Sequence, residues 1–404
     1  MACVNQLINV SQAERRADRP DEIVEYTIST CSQCACSLED VPELEWEKRQ
    51  VFDLPKPCIF VTEHRIQKKC CPNCQTLQQA SFPDQVKAPT QYGASFASWT
   101  TYLNMYQMIP LERISQFFHD LTGYRPSEAT LLTTMKRMSE VLEPFEGVIR
   151  NQLLESPVVH ADETGLLVER KGHWLHVMSN SDWTLIGVNE SRGSNAIKEL
   201  DFLPRFTNTL VHDCYATYFK EVYNFLHALC NAHLLRECIG IETYDNQPWA
   251  TDMKAFLQES WEVVKKARTA GVALEEEVLQ AMEARYDGIL IEGQKEWATG
   301  EHTEHVRPAG RKKKSKAANL GQRLQLHKEA ILRFIRDAYV PFDNNQAERD
   351  IRMVKIKIKV SGSYRTLSNA MQFARIRSII ATFRKQNLPI LSSLTSAFKG
   401  QFSF

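Results

Sequence analysis

Apolar residues recur at steps of three and four positions in the segment that follows residue 90. The residues with this spacing are Phe96, Trp99, Leu103 and Tyr106, and such spacing predicts one face of an α-helix. Pro110 is expected to end this helix because it lacks an amide hydrogen, and further helices are predicted at residues 111–118 and after Pro126. Ser127 is a suitable N-cap. Residues 86–155 are therefore predicted to be helical, either as a helix-turn-helix DNA reader or as a packing subdomain.

Between residues 157 and 235 the pattern changes to short apolar runs that are typical of β-strands. These runs are residues 157–161, 173–178, 184–188, Thr209–His212 and Leu226–Leu229. The polar residues 179–182 separate the second run from the third and indicate a hairpin, and Ser194–Leu200 is predicted to be a helix. The order strand, strand, strand, helix, strand, helix, strand predicts an α/β fold with a mixed sheet covered by helices. It is also the strand order of the ribonuclease H fold.

Composition limits the number of domains and the class of protein. The chain has 404 residues, which suggests two to four structural units. No apolar run is long enough to span a membrane, and the polar first twenty residues do not resemble a signal peptide. We therefore expect a cytoplasmic protein. The formal net charge is zero, so any affinity for nucleic acid must come from local charge.

Positive charge is concentrated in two segments. Residues 307–316 contain six Lys or Arg, which indicates a mobile loop, and the 56 residues that follow Glu348 contain eleven Lys or Arg but a single acid, Asp350. Lys355, Lys357 and Lys359 alternate with apolar residues, either as a strand with one charged face or as part of a helix, and Arg365 follows them. We predict that these four residues contact DNA phosphates.

Two aspartates close apolar strands of the predicted sheet. Asp162 follows residues 157–161, and Asp213 follows Thr209–His212. Functional groups gather at the carboxyl ends of strands in open sheets, and two converging carboxylates repel each other unless a cation lies between them. Mg²⁺ prefers such oxygen ligands. With a third carboxylate the acids could hold two Mg²⁺ ions ~4 Å apart, an arrangement that serves phosphodiester chemistry.

Glu348 is the predicted third acid. It follows the segment Asp343–Asn344–Asn345, whose side chains are strong helix-start signals. Glu348 would then project from the first turn of a helix. An isolated acid is more often a solvated surface charge. The repeated strand–acid pattern of Asp162 and Asp213 makes catalysis an equal alternative to surface exposure.

Most of the eleven cysteines lie near the N-terminus, between Cys31 and Cys74. Cys31 and Cys34 form one CxxC pair, and Cys71 and Cys74 form a second. Two such pairs can hold one structural zinc ion in a tetrahedral site. The neighbouring thiols Cys36 and Cys70 leave the choice of ligands open, and Cys70 could replace Cys71.

Cys230 and His233 form a CxxH pair after the predicted fifth strand. The pair could bind a metal or organise the active site. No second pair of ligands accompanies it, so we predict a structural role, in which it holds the fifth strand against the following helix.

Four segments resemble the conserved motifs of IS66 transposases, in the same order along the chain. They are His160–Ala161–Asp162–Glu163–Thr164, the run from Val211 to Tyr218 around Asp213, the run from His227 to Arg236, and Asp343–Asn344–Asn345–Gln346–Ala347–Glu348–Arg349. The cysteine-rich segment extends the resemblance to nearly the whole chain. The resemblance implies a ribonuclease H-like catalytic domain in which Asp162, Asp213 and Glu348 bind Mg²⁺, and a zinc-binding segment ahead of it.

The same resemblance implies a DDE-type DNA transposase that binds the ends of its element and transfers them to target DNA, as a homo-oligomer. The implied divisions are a zinc-binding module (1–85), a helical segment (86–155), the catalytic core (156–236 and 341–404) and a helical insertion (237–340). Two alternatives remain. One is a ribonuclease H-like nuclease or resolvase, and the other is an inactive relative that only binds DNA.

Overall fold

The structure is a computed structural model that describes residues 17–54, 57–299 and 314–404. The chain forms two compact units, Met1–Phe60 and Val61–Phe404. The described part of the first unit is largely exposed and contains a tight turn at Cys31–Cys34, closed by a bridge between Thr30 and Ser37. The domains that the sequence predicted are not tested by this division into units and stay predictions. Most of the basic run at residues 307–316 lies outside the described residues.

A five-stranded mixed sheet lies at the centre of the second unit. Its strands are β3 (Val158–Val168), β4 (Lys171–Ser179), β5 (Thr184–Asn189), β6 (Thr209–His212) and β7 (Leu226–Leu229). They lie in the order β5-β4-β3-β6-β7. Strands β3, β4 and β5 pair antiparallel, whereas β6 is parallel to both β3 and β7. This confirms the predicted mixed α/β sheet. A separate hairpin, β1 (Lys68–Cys70) and β2 (Leu77–Gln79), carries the second CxxC pair.

Strand β3 is longer than the sequence predicted. We expected a strand over residues 157–161 with Asp162 just beyond it, but β3 continues to Val168 through its pairing with β4. The continuation is not evident from the sequence, because the residues after Ala161 are largely polar. Only one face of the strand is buried there. Pairing with β6 ends at His160 and Val211. Asp162 therefore lies inside a strand, at the point where β3 diverges from β6, and not at a strand end.

Helices pack on both faces of the sheet. Before the sheet lie α1 (Ala94–Thr101), a π-helix (Tyr102–Tyr106), α2 (Leu111–Thr122) and α3 (Glu128–Glu155), and α4 (Ser194–Leu200) follows β5. After β7 come α5 (Asn231–Asp245), α6 (Pro248–Thr269), α7 (Glu276–Thr299), α8 (Lys316–Leu326), α9 (Lys328–Arg336), α10 (Asn345–Ser361), α11 (Leu367–Lys385) and α12 (Ile390–Phe398). Ser127 caps α3, as predicted, by accepting a hydrogen bond from the Thr130 amide. The helix expected between β6 and β7 is a single 3₁₀ turn, Ala216–Phe219.

Two large apolar clusters stabilise the second unit. The first joins the sheet to α3, α10 and α11, and it includes Met138, Leu142 and Ile149 of α3. The second joins β6 and β7 to α5–α9, and it includes the buried Trp249 and Tyr286. The C-terminal part of α3 therefore shares the core of the sheet, whereas its N-terminal turns pack on α2 in a small separate cluster. Within the described ranges, no helix is long and apolar enough to cross a membrane.

Candidate active site

Three acids that are distant in sequence line one cavity of about 300 Å³. Asp162 comes from β3, Asp213 from the turn after β6 and Glu348 from the first turn of α10, and the other lining residues are Glu163, His233, Arg236, Ile351, Arg352 and Lys355. The pairing of β3 with β6 places the two aspartates side by side, because both follow the last residues of the parallel register. Helix α10 packs across β3 and brings Glu348 to them.

Asn344 fastens the start of α10 to the strand of the first acid. Its side chain is fully buried, and its amide nitrogen donates to the carbonyl of Ala161 at 2.8 Å. Its Oδ1 lies 2.9 Å from Nδ1 of His160, and its backbone N–H donates to Sγ of Cys230 at 3.2 Å. One residue thus connects the neighbourhoods of Asp162, Asp213 and Glu348.

The opposite side of α10 is held by a buried ion pair. Nζ of Lys385 lies 2.8 Å from Oδ2 of Asp350, and both side chains are only 12% exposed. The same ammonium group donates to the carbonyls of Asn180 and Trp183 in the β4–β5 turn. Since Asp350 is two residues from Glu348, this pair limits movement of the third acid.

The acids carry the electrostatic signs of a cation site. Burial raises the pKa of Asp162 to about 7, and the carboxylates of Asp213, Glu163 and Glu348 add to the shift. In the described part of the chain, Oδ1 of Asp213 and Oε1 of Glu348 are buried without a hydrogen-bond partner. Unpaired buried acceptors are unfavourable. A divalent cation between these oxygens would relieve both the repulsion and the missing bonds, so the residues present fit Mg²⁺.

His233 lies between two of the acids. Its Nδ1 is 2.9 Å from Oδ1 of Asp213, and its Nε2 is 3.8 Å from Oε1 of Glu348. The carboxylate of Asp213 and then the side chain of Cys230 raise the pKa of His233 to about 10, yet Nδ1 completes no aligned hydrogen bond to a described residue. We consider the contact mainly electrostatic, with the charged ring partly offsetting the acids.

Cys230 completes a compact group with Asp213 and His233, whose ligand atoms lie within 4.8 Å of one another. Oxygen, sulfur and nitrogen ligands together suit a softer cation than Mg²⁺. Cys230 is nevertheless buried at the N-cap of α5 and accepts the Asn344 amide. That contact favours the predicted structural role, which stays a prediction.

Sequence reasoning missed an arginine beside the first acid. Arg192 donates from Nε and Nη2 to one oxygen of Glu163, at 2.9 and 2.7 Å, and Tyr218 donates to the other at 2.8 Å. The guanidinium lies over the rings of Tyr215 and Trp174. The only available signal was the position of Glu163 next to Asp162. Arg236 and Arg352 also line the acidic cavity. They were missed because no local sequence signal indicates that they reach it.

The basic segment after Glu348 is helical, which resolves the alternative left open by the sequence. On α10, Glu348 and the cations Arg352, Lys355 and Lys359 recur at steps of four, three and four, and so they share one face. Lys357 lies on another side, where burial lowers its pKa. The predicted Arg365 is exposed beyond the end of the helix.

Both CxxC pairs adopt the same turn. The Cys31 amide donates to the Cys36 carbonyl and the Ala35 amide to the Cys31 carbonyl, each at 2.9 Å. The second turn repeats both bonds at the same distances, with Cys71, Gln75 and Thr76 in the equivalent positions. The fifth residue of each turn has positive φ, 57° at Ala35 and 55° at Gln75.

One thiol in each turn has a lowered pKa. Hydrogen bonds from Cys36 lower the pKa of Cys34, and those from Thr76 lower the pKa of Cys74 to about 7. The thiolate is the form that binds zinc. In this correspondence Cys36 occupies the place of Thr76, and Cys70 lies on β1 before the turn.

The sequence profile described as Transposase IS66 family matches residues 89–372, well over half of the chain. The chain belongs to the IS66 transposase family. All three acids of this IS66 transposase lie within the matched residues, whereas both CxxC turns precede them. Among curated proteins, none matches the chain. As a transposase, the protein is an enzyme that acts on DNA.

Proposed function

We propose that this IS66 transposase is a DDE-type enzyme with a ribonuclease H-like core, which cuts the ends of its element and joins them to target DNA. The observation that carries the proposal is the shared cavity of Asp162, Asp213 and Glu348, with buried oxygens that lack partners. The five-stranded mixed sheet supports it, because the order β5-β4-β3-β6-β7 is compatible with the ribonuclease H-like core that the resemblance implies.

Residues in and around the cavity have different parts in this chemistry. Asp162, Asp213 and Glu348 would hold two Mg²⁺ ions, which when bound activate the attacking oxygen and stabilise the leaving oxygen. Asn344 and the Asp350–Lys385 pair keep the third acid in position. Arg352 and Lys355 line the same cavity and attract the phosphate backbone of the strand to be cut.

The proposal is tested with a DNA duplex that carries the inverted repeats of the element encoding this chain. With Mg²⁺ we expect strand cleavage at the ends, followed by joining of the freed 3′-hydroxyl to a second duplex, and EDTA should stop both steps. Cleavage without joining would indicate the nuclease alternative. Binding without cleavage would indicate an inactive relative.

The α10 face is proposed as the DNA track that leads out of the cavity. This face contains Lys355 and Lys359, which the sequence predicted as DNA contacts, and also Arg352. Lys357 lies on another side of the helix. Replacing Lys355 and Lys359 with Ala should weaken DNA binding and lower the slope of log affinity against log salt by about two, since about one unit is lost per phosphate contact. Filter binding at several salt concentrations measures this. Lys357→Ala is the matched control, and an equal loss of slope in that variant would contradict the assignment.

Cys31, Cys34, Cys71 and Cys74 are proposed as the ligands of one structural zinc ion. The repeated turn supports this set over Cys36 and Cys70, because only the four proposed residues occupy equivalent places. Metal analysis of purified protein should find about one zinc per chain. Cys34→Ala should lose the metal, whereas Cys70→Ser should keep it. A folded wild-type preparation that contains no zinc would rule out the site.

A further inference from the structure

A second cavity adjoins the acidic one and shares Asp213 and His233 with it. Its volume is about 270 Å³. The side chains that define its character are the apolar Tyr215, Leu229 and Leu234, together with Arg192, Arg323 and Glu237. Arg323 belongs to α8 of the helical insertion, so the insertion supplies a wall of this cavity beside the acids.

The guanidinium group of Arg192 is fixed by its neighbours, and one of its N–H edges is available to a ligand. Its Nε and Nη2 are used by Glu163, and its planar group lies 4.0 Å from the ring centre of Tyr215 and 4.9 Å from that of Trp174. Among the described residues, Nη1 has no hydrogen-bond partner. A guanidinium fixed in this way can recognise an acceptor without further loss of side-chain freedom.

Arg323 also has an unused donor. Its Nη2 pairs with Glu237, but its Nε is buried and has no partner in the described part of the chain. A buried N–H without an acceptor is destabilising. The cavity therefore has a place for a ligand atom that accepts a hydrogen bond.

Charge balance decides what kind of ligand fits. Glu163 neutralises Arg192, Glu237 neutralises Arg323, and the charged ring of His233 offsets Asp213. A phosphate would meet these carboxylates without a surplus of positive charge. A neutral, flat group with acceptors on its edge fits better, because it can lie against Leu229 and Leu234 and accept from the arginines.

We propose that this cavity receives a nucleobase that leaves the duplex next to the scissile phosphate, and that Arg192 and Arg323 recognise the acceptor edge of a purine. Guanine presents two adjacent acceptors, N7 and O6, which arginine commonly reads. Extruding a base loses stacking and pairing energy, which the contacts in this cavity would offset. The inference rests on the proposed function, because that function makes the acidic cavity the catalytic one.

The experiment places 2-aminopurine, whose fluorescence rises when it unstacks, at successive positions on either side of the cleavage site. Binding is measured without divalent metal, so the signal does not depend on catalysis. Wild-type protein should raise the fluorescence at one position. Arg323→Gln should remove the rise and weaken discrimination between guanine and other bases at that position about tenfold. Arg285→Gln is the control, because Arg285 also belongs to the insertion and pairs with Glu259 on its exposed surface.

Arg323→Lys separates a base from a phosphate. It keeps the charge but loses the planar edge, so it should behave like Arg323→Gln. If it behaves like wild type while Arg323→Gln lowers the salt slope, the cavity holds a phosphate and the proposal is wrong. A fluorescence rise that persists in Arg323→Gln would also overturn it. If the protein cuts no DNA, the proposed function fails, while the fluorescence still decides the cavity's ligand.

Discussion

Asp162→Asn is expected to abolish Mg²⁺-dependent strand cleavage while the protein still binds DNA. The substitution keeps the shape of the side chain and removes the charge that holds the cation. Metal ions contribute several kcal/mol of transition-state stabilisation, which corresponds to a loss of about a thousandfold or more in rate. Asp213→Asn and Glu348→Gln should have the same effect, because all three carboxylates line the same cavity.

Cleavage rates and DNA affinity should be measured on the same preparations. DNA affinity should stay equal or rise, since each substitution removes a negative charge that repels phosphate. The metal-free Asp162→Asn protein should also be no less stable to heat than wild type, because repulsion among the acids is reduced. Asp252→Asn, which changes an exposed acid on α6, should leave cleavage unchanged. A fully active Asp162→Asn enzyme would exclude the proposed mechanism.

Asn344→Leu is expected to lower the rate of cleavage about a hundredfold without unfolding the chain. Leucine has a similar size but cannot donate to the Ala161 carbonyl or accept from His160. The start of α10 would then shift relative to β3 and displace Glu348, and a displacement of about 1 Å can lower a rate by about that factor. The unpaired buried groups should reduce the free energy of unfolding by about 1–3 kcal/mol.

A positioning role has a recognisable kinetic signature. We expect kcat to fall while KM for the DNA ends changes little, because Asn344 is fully buried and so out of reach of the DNA. Asn345→Ala is the matched control, since Asn345 is the exposed neighbour and its side chain bonds only Asp343 among the described residues. If the two variants lose the same amount of activity, Asn344 does not act by positioning Glu348.

Local sequence was sufficient to predict most of the elements, and together with the family resemblance it predicted the three acids. The apolar runs ending near His160 and His212 were sufficient to predict β3 and β6, and the Asp343–Asn345 cluster predicted the start of α10. These signals are local because strand and helix periodicity, capping and turn chemistry act over a few residues. The CxxC spacing likewise identified the two segments that form equivalent turns in the structure.

Tertiary structure decided what surrounds the acids. The extension of β3 beyond Asp162 depends on pairing with β4, and no local pattern separates that polar run from a loop. Asn344 acquires its role only when α10 crosses β3, and Arg192 reaches Glu163 from the loop after β5. Arg323 joins the second cavity because α8 packs against α5, the helix that follows β7. Such contacts join residues far apart in sequence, so the packing of complete elements, rather than the pattern within any one of them, determines them.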